Sequence, residues 1–492
     1  MKRMLCVLLA LMLLLAGCGK EQTPTATTTQ PTLNTAPPVT VPQWVNDTAV
    51  DTDSGPVSHA FLGYYYMDTL SGFYGQAAQT ASSYAAYMGS TDINELITML
   101  YGLDVTTPLS QQQMDEEQTW ADFFVEGALS TIRRDAAMTM AAQEADFQLD
   151  EDSQNLLNSL EENIGKYASN YGYTDAEEYL RATYGSFAEM ESYLAYYDYR
   201  IYADAFYQEK QAAFAAAQYG EQQLREWETG KEATLDSFSF CSVFVAETAD
   251  QSVIEELTNT TDTLEVAAGQ LSQQASVQNR VMYDSVPDLY REWLTASDRI
   301  EGEIASFPAA ADAQTPGTYV VQFLKHYDNA LPMANVRHLL VKFQTDSTGA
   351  QVEGTREACL SKANSLLDTW KNGEATEDSF IALVKEHSED GNASTGGMYE
   401  AISPATNFVE PFLNWCIDEN RQVGDVEIVE TNYGFHIMYF SSFTEMTYRD
   451  QMITENLRAE SWQDWYEASL ERVTLGEADT SHLDLDVVLA ES

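Results

Sequence analysis

The stretch from Asn335 to Phe443 constrains the fold most tightly, because short apolar runs and amphipathic helices follow one another there in a single order. NVRHLLVKF reads as a strand with His338 among β-branched and apolar neighbours. Cys359, Ala363, Leu366, Leu367 and Trp370 form a helical stripe, and Phe380, Leu383, Val384 and His387 repeat it at i, i+3, i+4, i+7. HSEDGNASTGGMYE is a polar, Gly-rich loop, and FVEPFLNWCIDE is a short helix bearing Phe412, Trp415 and Cys416. VEIVE, the turn TNYG and FHIMYF close the region as an antiparallel hairpin. The order strand, helix, helix, loop, helix, strand, strand is that of an α+β domain. Taken alone, a histidine on such a strand is most simply a satisfied core residue.

Five motifs in this region, RHLLVK, the S-E-D loop leading to Gly396-Gly397, the helix with Phe412, the Gly424-Asp425 turn and YGFHIMYF, together resemble the parvulin family of peptidyl-prolyl cis-trans isomerases. The resemblance implies a four-stranded antiparallel sheet with surrounding helices and an isomerase that needs neither metal nor cofactor. It implies catalytic roles for His338, Asp390 and His436, the two histidines facing each other across the sheet. It places Tyr399, Phe408, Phe412 and Tyr433 at the substrate, with Phe412 on the floor of the proline pocket. The chemistry suits these residue types. Resonance holds the X-Pro amide against rotation by roughly 18–20 kcal/mol, and twisting makes the amide less polar, so a dry aromatic pocket favours the twisted form. The chain departs from the family pattern in a loop from Asp390 to Gly397 that is one residue short, in Tyr433 for Ser or Thr, and in Tyr399 for Leu. QTDSTGAQVEG follows Lys342 where phosphoserine-specific relatives carry a basic cluster, so no phosphopeptide preference is expected.

Upstream, DSFSFCSVFV, LYREWLTASDRIEGEI and GTYVVQFL repeat the first strand, the Trp-bearing helix and the last strand. They predict a degenerate copy in which Phe240 replaces His338, Trp293 matches Trp415, Tyr319 replaces His436, and the segment holding the acid is missing. That copy is expected to keep the scaffold without isomerase activity.

Lys2 and Arg3 precede an apolar run through Leu15, then Ala16-Gly17-Cys18, the pattern of a secretion signal. LAGC resembles the lipobox of bacterial lipoproteins, which implies a lipid anchor at Cys18. The Thr/Pro-rich stretch after it cannot offset its own ordering entropy and reads as a tether. Cys241, Cys359 and Cys416 lack CxxC spacing and are expected as buried thiols. Trp120, Phe124, Ala128, Leu129, Ile132 and Ala136 predict one helix, and Leu156, Leu157, Leu160, Ile164 and Tyr167 another. Thr174/Glu177 and Ser186/Glu189 fit capping boxes for two more. The aromatics from Tyr193 to Tyr207 occupy several faces of the last, which leaves two readings open: an exposed surface for apolar polypeptides, or packing against another domain.

Lys+Arg 25 against Asp+Glu 77 leaves a formal charge of −52 and removes any electrostatic basis for nucleic-acid binding. The acidic DTDSG at Asp51 lacks the glutamate that would complete a calcium loop. The architecture expected is α+β: signal peptide 1–17, lipid-anchored tether 18–57, helical chaperone-like domain 58–231, degenerate parvulin-like domain 232–330, parvulin domain 331–444, and a C-terminal helix and tail 445–492 packing on the helical domain. The activity this implies is that of PrsA-like or SurA-like lipoprotein foldases: an extracytoplasmic, membrane-anchored protein of a bacterium that binds unfolded exported chains and isomerises their X-Pro bonds. The alternative is a holdase with a weak or inactive parvulin domain.

Overall fold

The computed structural model describes residues 42–309, 315–344, 352 and 354–489; the signal-like start, Cys18 and most of the Thr/Pro-rich stretch lie outside them. Two compact units emerge: residues up to Ala217 with those from Ala459, and Gln218–Arg458.

The first unit is helical. A small antiparallel pair, β1 (Thr48–Val50) and β2 (Val57–Ser58), leads into α1 (His59–Met88), α2 (Ile93–Tyr101), α3 (Trp120–Glu144), α4 (Glu151–Asn170), α5 (Ala176–Tyr184) and α6 (Met190–Ala215). Residues from Gln43 onward, which composition assigns to the tether, instead belong to this unit, because Val45, Ala49, Val50 and Val57 bury their side chains in its core. Thr119 and Asp122 form a capping box that starts α3, whose stripe from Trp120 to Ala136 is buried as its spacing requires. The other two caps differ from expectation. Asp175, not Thr174, caps α5 by accepting from the Glu178 amide. α6 begins only at Met190, with no side-chain cap, because Phe187 turns inward onto Gly63, where a Cβ would lie 2.4 Å from its ring.

The α6 aromatics pack inward rather than forming an exposed surface. Tyr193, Tyr196 and Phe206 are buried, and Tyr64 of α1 lies 5.3 Å and 5.0 Å from the first two ring centroids. Tyr207 meets Trp462 edge-on at 5.2 Å. A charged cluster is sealed beneath them. Asp135, fully buried, accepts from Arg134 Nε at 2.8 Å and Nη2 at 2.6 Å and from the Tyr65 hydroxyl at 2.8 Å, with Arg200 Nε 3.6 Å away. After Trp462 and its neighbours the chain runs back along β1: Gly476 N donates to Asp51 O and Asp479 N to Ala49 O, both at 2.8 Å.

The second unit holds two sheets of one topology. α7 (Glu221–Glu228), β3 (Ser237–Ala246), α8 (Ser252–Thr258), α9 (Leu264–Gln270), β4 (Ala275–Met282), α10 (Asp288–Leu294), β5 (Ile304–Pro308) and β6 (Gly317–Tyr327) come first. β7 (Pro332–Lys342), α11 (Thr355–Asn372), α12 (Glu377–His387), β8 (Met398–Ile402), α13 (Glu410–Cys416), β9 (Val426–Thr431) and β10 (Gly434–Thr447) follow. The strand orders are β4-β3-β6-β5 and β8-β7-β10-β9, antiparallel throughout. β8, which the sequence pattern hides inside a polar loop, is an edge strand paired only with β7, so little apolar patterning marks it.

In both sheets alternate residues of the first strand face opposite layers. Leu339 and Val341 pack under α11 and α12, whereas Val336 faces Phe412 and Trp415 of α13. Likewise Cys241 and Val243 pack under α8 and α9, and Phe238 and Phe240 face Tyr290 and Leu294 of α10. The register corrects one correspondence. Met438 pairs with His338 and Phe323 with Phe240, so the counterpart of His436 is Val321 rather than Tyr319. Aligning the hairpin glycines misses this because Gly317 pairs with Ala246, two residues further along β3 than the position equivalent to Lys342, which pairs with Gly434. Cys241, Cys359 and Cys416 are free and buried.

Candidate active site

The His338 backbone is gripped from the loop side. Its amide donates to Gly397 O at 3.0 Å, and one turn of chain earlier Glu389 N donates to Leu340 O at 2.9 Å. Gly397 has φ 68°, and a Cβ there would lie 2.2 Å from the His338 carbonyl oxygen. Only glycine fits so close an approach. Gly397→Ala is therefore expected to cost at least about 2 kcal/mol, from left-handed strain plus displacement of the loop from β7. Urea unfolding of the variant checks this; a loss below about 0.5 kcal/mol would show that the loop accommodates the methyl.

His338 on β7 and His436 on β10 bring their Nδ1 atoms to 3.1 Å, and His436 Nε2 lies 2.9 Å from Thr431 Oγ1. Burial lowers the pKa of both rings; His436 falls to about 4, its neighbour His338 lowering it further against a weaker opposing pull from Asp390. Two neutral imidazoles sharing one Nδ1 to Nδ1 contact must adopt complementary tautomers, one donating and one accepting. If His436 donates, its Nε2 accepts from the Thr431 hydroxyl and His338 carries its proton on Nε2, toward Asp390. If His338 donates, Thr431 becomes the acceptor. Thr431, whose hydroxyl can donate or accept, satisfies His436 Nε2 in either proton order. The sequence reading missed it because a buried threonine in VEIVET carries no distinguishing spacing.

Asp390 Oδ1 lies 3.8 Å from His338 Nε2 and also accepts the Asn392 amide at 3.1 Å in a local turn. Its side chain retains about a quarter of its exposure, so it meets solvent on one side and the histidine on the other. His338 Nε2 and both polar atoms of the Asn392 side chain are buried with no hydrogen-bond partner among the described residues.

A cleft of about 360 Å³ opens over this pair and is lined by every residue the sequence singled out there: His338, Asp390, Tyr399, Phe408, Phe412, Tyr433 and His436. Asn407 and Val409, which the sequence reading did not select, complete it. Phe412 stands edge-on to His338 at 5.2 Å and to His436 at 5.1 Å, Phe408 lies 5.0 Å from Phe412, and Tyr399 stacks on His338 at 5.1 Å. Tyr433 is 54% exposed and stands at the rim. The arrangement joins an apolar aromatic floor to one polar edge, a shape suited to a small apolar ring with an amide beside it.

Comparison with solved structures finds PrsA from Bacillus subtilis, 12% identical with a TM-score of 0.20, covering 87% of this chain and 91% of that one. PrsA from Bacillus cereus is 14% identical with a TM-score of 0.18, covering 91% and 98%. The peptidyl-prolyl isomerase ESS1 from Candida albicans is 23% identical with a TM-score of 0.18, covering 22% of this chain and 62% of that one. No curated protein matches the chain. The family model of the PPIC-type PPIASE domain matches residues 320–441, a span that contains both histidines, Asp390 and the aromatic floor. The chain therefore carries a peptidyl-prolyl cis-trans isomerase domain of the parvulin family.

Proposed function

We propose that the cleft over His338 and His436 is the isomerase site of an extracytoplasmic foldase, held at a membrane by a lipid on Cys18. The observation that carries this reading is the joining of a neutral histidine pair and Asp390 to the Phe408 and Phe412 floor in one cleft. In it the proline ring rests on Phe412 and Phe408, with Tyr399 and Tyr433 flanking the preceding residue. The histidine pair and Thr431 hold the wall next to the twisting carbonyl in one continuous hydrogen-bonded row. Asp390, at the polar edge, acts on the amide as conjugation is lost. No covalent intermediate forms. The helical unit binds unfolded exported polypeptides, and the first sheet serves as a spacer or peptide-binding module. One observation supports a non-catalytic role for that first copy: it keeps the strand order with Phe240 and Val321 in place of the two histidines.

The test is the proline-limited refolding rate of a model protein in the presence of the full chain, or of its Asp390→Ala variant. The full chain is expected to accelerate the slow phase, and Asp390→Ala to lower kcat/KM by about ten-fold or more. A variant as fast as the parent removes Asp390 from the chemistry. If neither accelerates refolding while both suppress aggregation of an unfolded client, the protein is a holdase.

A further inference from the structure

A second cleft, of about 430 Å³, lies within the Gln218–Arg458 unit and shares no lining residue with the histidine cleft. Residues of both sheets form it. Its apolar wall includes Met333, Ile402 and Ile417, together with Leu331 and Phe443, which are 47% and 42% exposed.

Most of the ionisable groups lining it are already engaged. His326 pairs with Asp236 at 2.7 Å and Lys325 with Glu419 at 3.9 Å. Asp418 accepts from Asn420 N at 3.0 Å and lies 3.7 Å from Arg421, and Asp328 accepts from Ala330 N at 3.0 Å. Arg280 is the exception. Among the described residues no carboxylate lies within ion-pair distance of it and its guanidinium donates no hydrogen bond; the group rests on the Tyr327 ring, 3.8 Å from the centroid. Lys325 Nζ lies 4.8 Å from the same ring, so two cations share one aromatic partner. Burial lowers the Arg280 pKa against weaker opposing pulls from Tyr327 and Glu419. A half-buried guanidinium with five donors and no acceptor is costly, and a ring face compensates it only in part.

The geometry points to a second polypeptide-binding site here, one that takes the free carboxyl-terminal end of an apolar segment. The planar guanidinium matches a carboxylate with two parallel hydrogen bonds. Leu331, Ile417 and Phe443 receive the last apolar side chains. The engaged acids Asp328, Asp418 and Glu419 repel any ligand bearing more than one negative charge, which selects a chain end over an acidic segment.

The experiment uses fluorescence anisotropy with the full chain and a proline-free heptapeptide ending in Leu-Phe with a free carboxylate. Its carboxyl-terminal amide, and an amidated form with one internal Asp, serve as comparison probes. The expected result is saturable binding of the free-carboxylate peptide, at least ten-fold weaker for the amide and for Arg280→Asn, and weaker at high salt. Asn suits position 280, where φ is 50°, so backbone strain does not confound the change. Phe443→Ala, which removes apolar wall without touching the charge, is expected to weaken binding several-fold, and Arg280→Asn to leave the isomerase rate unchanged. Equal binding of acid and amide, no effect of Arg280→Asn, or no saturation with any probe overturns the proposal. Equal binding of the internal-Asp amide overturns the assignment to a chain end.

Discussion

Asp135→Ala is expected to destabilise the helical unit by about 3–5 kcal/mol, the cost of breaking a buried ion pair from one side. The carboxylate is fully buried and takes two hydrogen bonds from Arg134 and one from Tyr65, with Arg200 close to its second oxygen. Removing it leaves the buried Arg134 guanidinium with only Asp204, 3.7 Å away, and deprives Arg200 of one of its two carboxylates, the other being Asp68 at 2.8 Å. Asp135→Asn keeps an acceptor for Tyr65 but not the charge, and is expected to fall between parent and alanine variant. Urea unfolding followed by far-ultraviolet circular dichroism reads both. A loss below about 1 kcal/mol for Asp135→Ala would mean that water reaches the two arginines once the carboxylate is gone.

Acidification should weaken the isomerase sheet through His436. Its folded pKa of about 4 lies below the ordinary value of 6.5, because burial and the neighbouring His338 oppose a positive charge. Between those values the unfolded chain binds more protons than the folded one, so stability is complete above 6.5 and declines as pH falls toward 4. The shift corresponds to about 3 kcal/mol in total, of which about 2 kcal/mol is gone by pH 5. The measurement is urea stability of parent and His436→Phe at several pH values between 7 and 5. Phenylalanine removes the His436 titration and makes the curve shallower, His338 keeping its own; parallel slopes would mean that His436 is protonated in the fold without penalty.

The sheet and its site were legible in the sequence to different degrees, for physical reasons. His338 and His436 were set opposite each other by the family resemblance, and the β7–β10 register puts them on one face of the sheet. Phe412 was legible as part of the apolar stripe of α13, and as pocket floor only through the resemblance. β8 was not, since MYEAI is a short edge strand whose register is set by hydrogen bonds to β7 rather than by apolar pattern. Thr431, Asn407 and Val409 were also invisible, because each owes its place to what lies across the sheet or cleft and to nothing in its own neighbourhood. In the helical unit, the many-sided aromatic pattern of α6 allowed either an exposed surface or packing. Tyr64 from α1 and Trp462 from far down the chain decide for packing, and neither contact is encoded in the local periodicity.

The helical unit is made from the two ends of its chain. Val473 lies in one buried cluster with Ala136 and Phe206, and Leu489 in the core with Val50 and Leu62, although the whole Gln218–Arg458 unit intervenes in sequence. A polypeptide emerging amino end first must therefore finish both sheets while α1 to α6 still lack the segment that closes them. Maturation is thus ordered by the chain itself: the catalytic half can be complete when the other half is only a receptive, unsealed scaffold. A break or stop codon near residue 458 would spare every residue of the histidine cleft, yet leave the aromatic face of α6 uncovered.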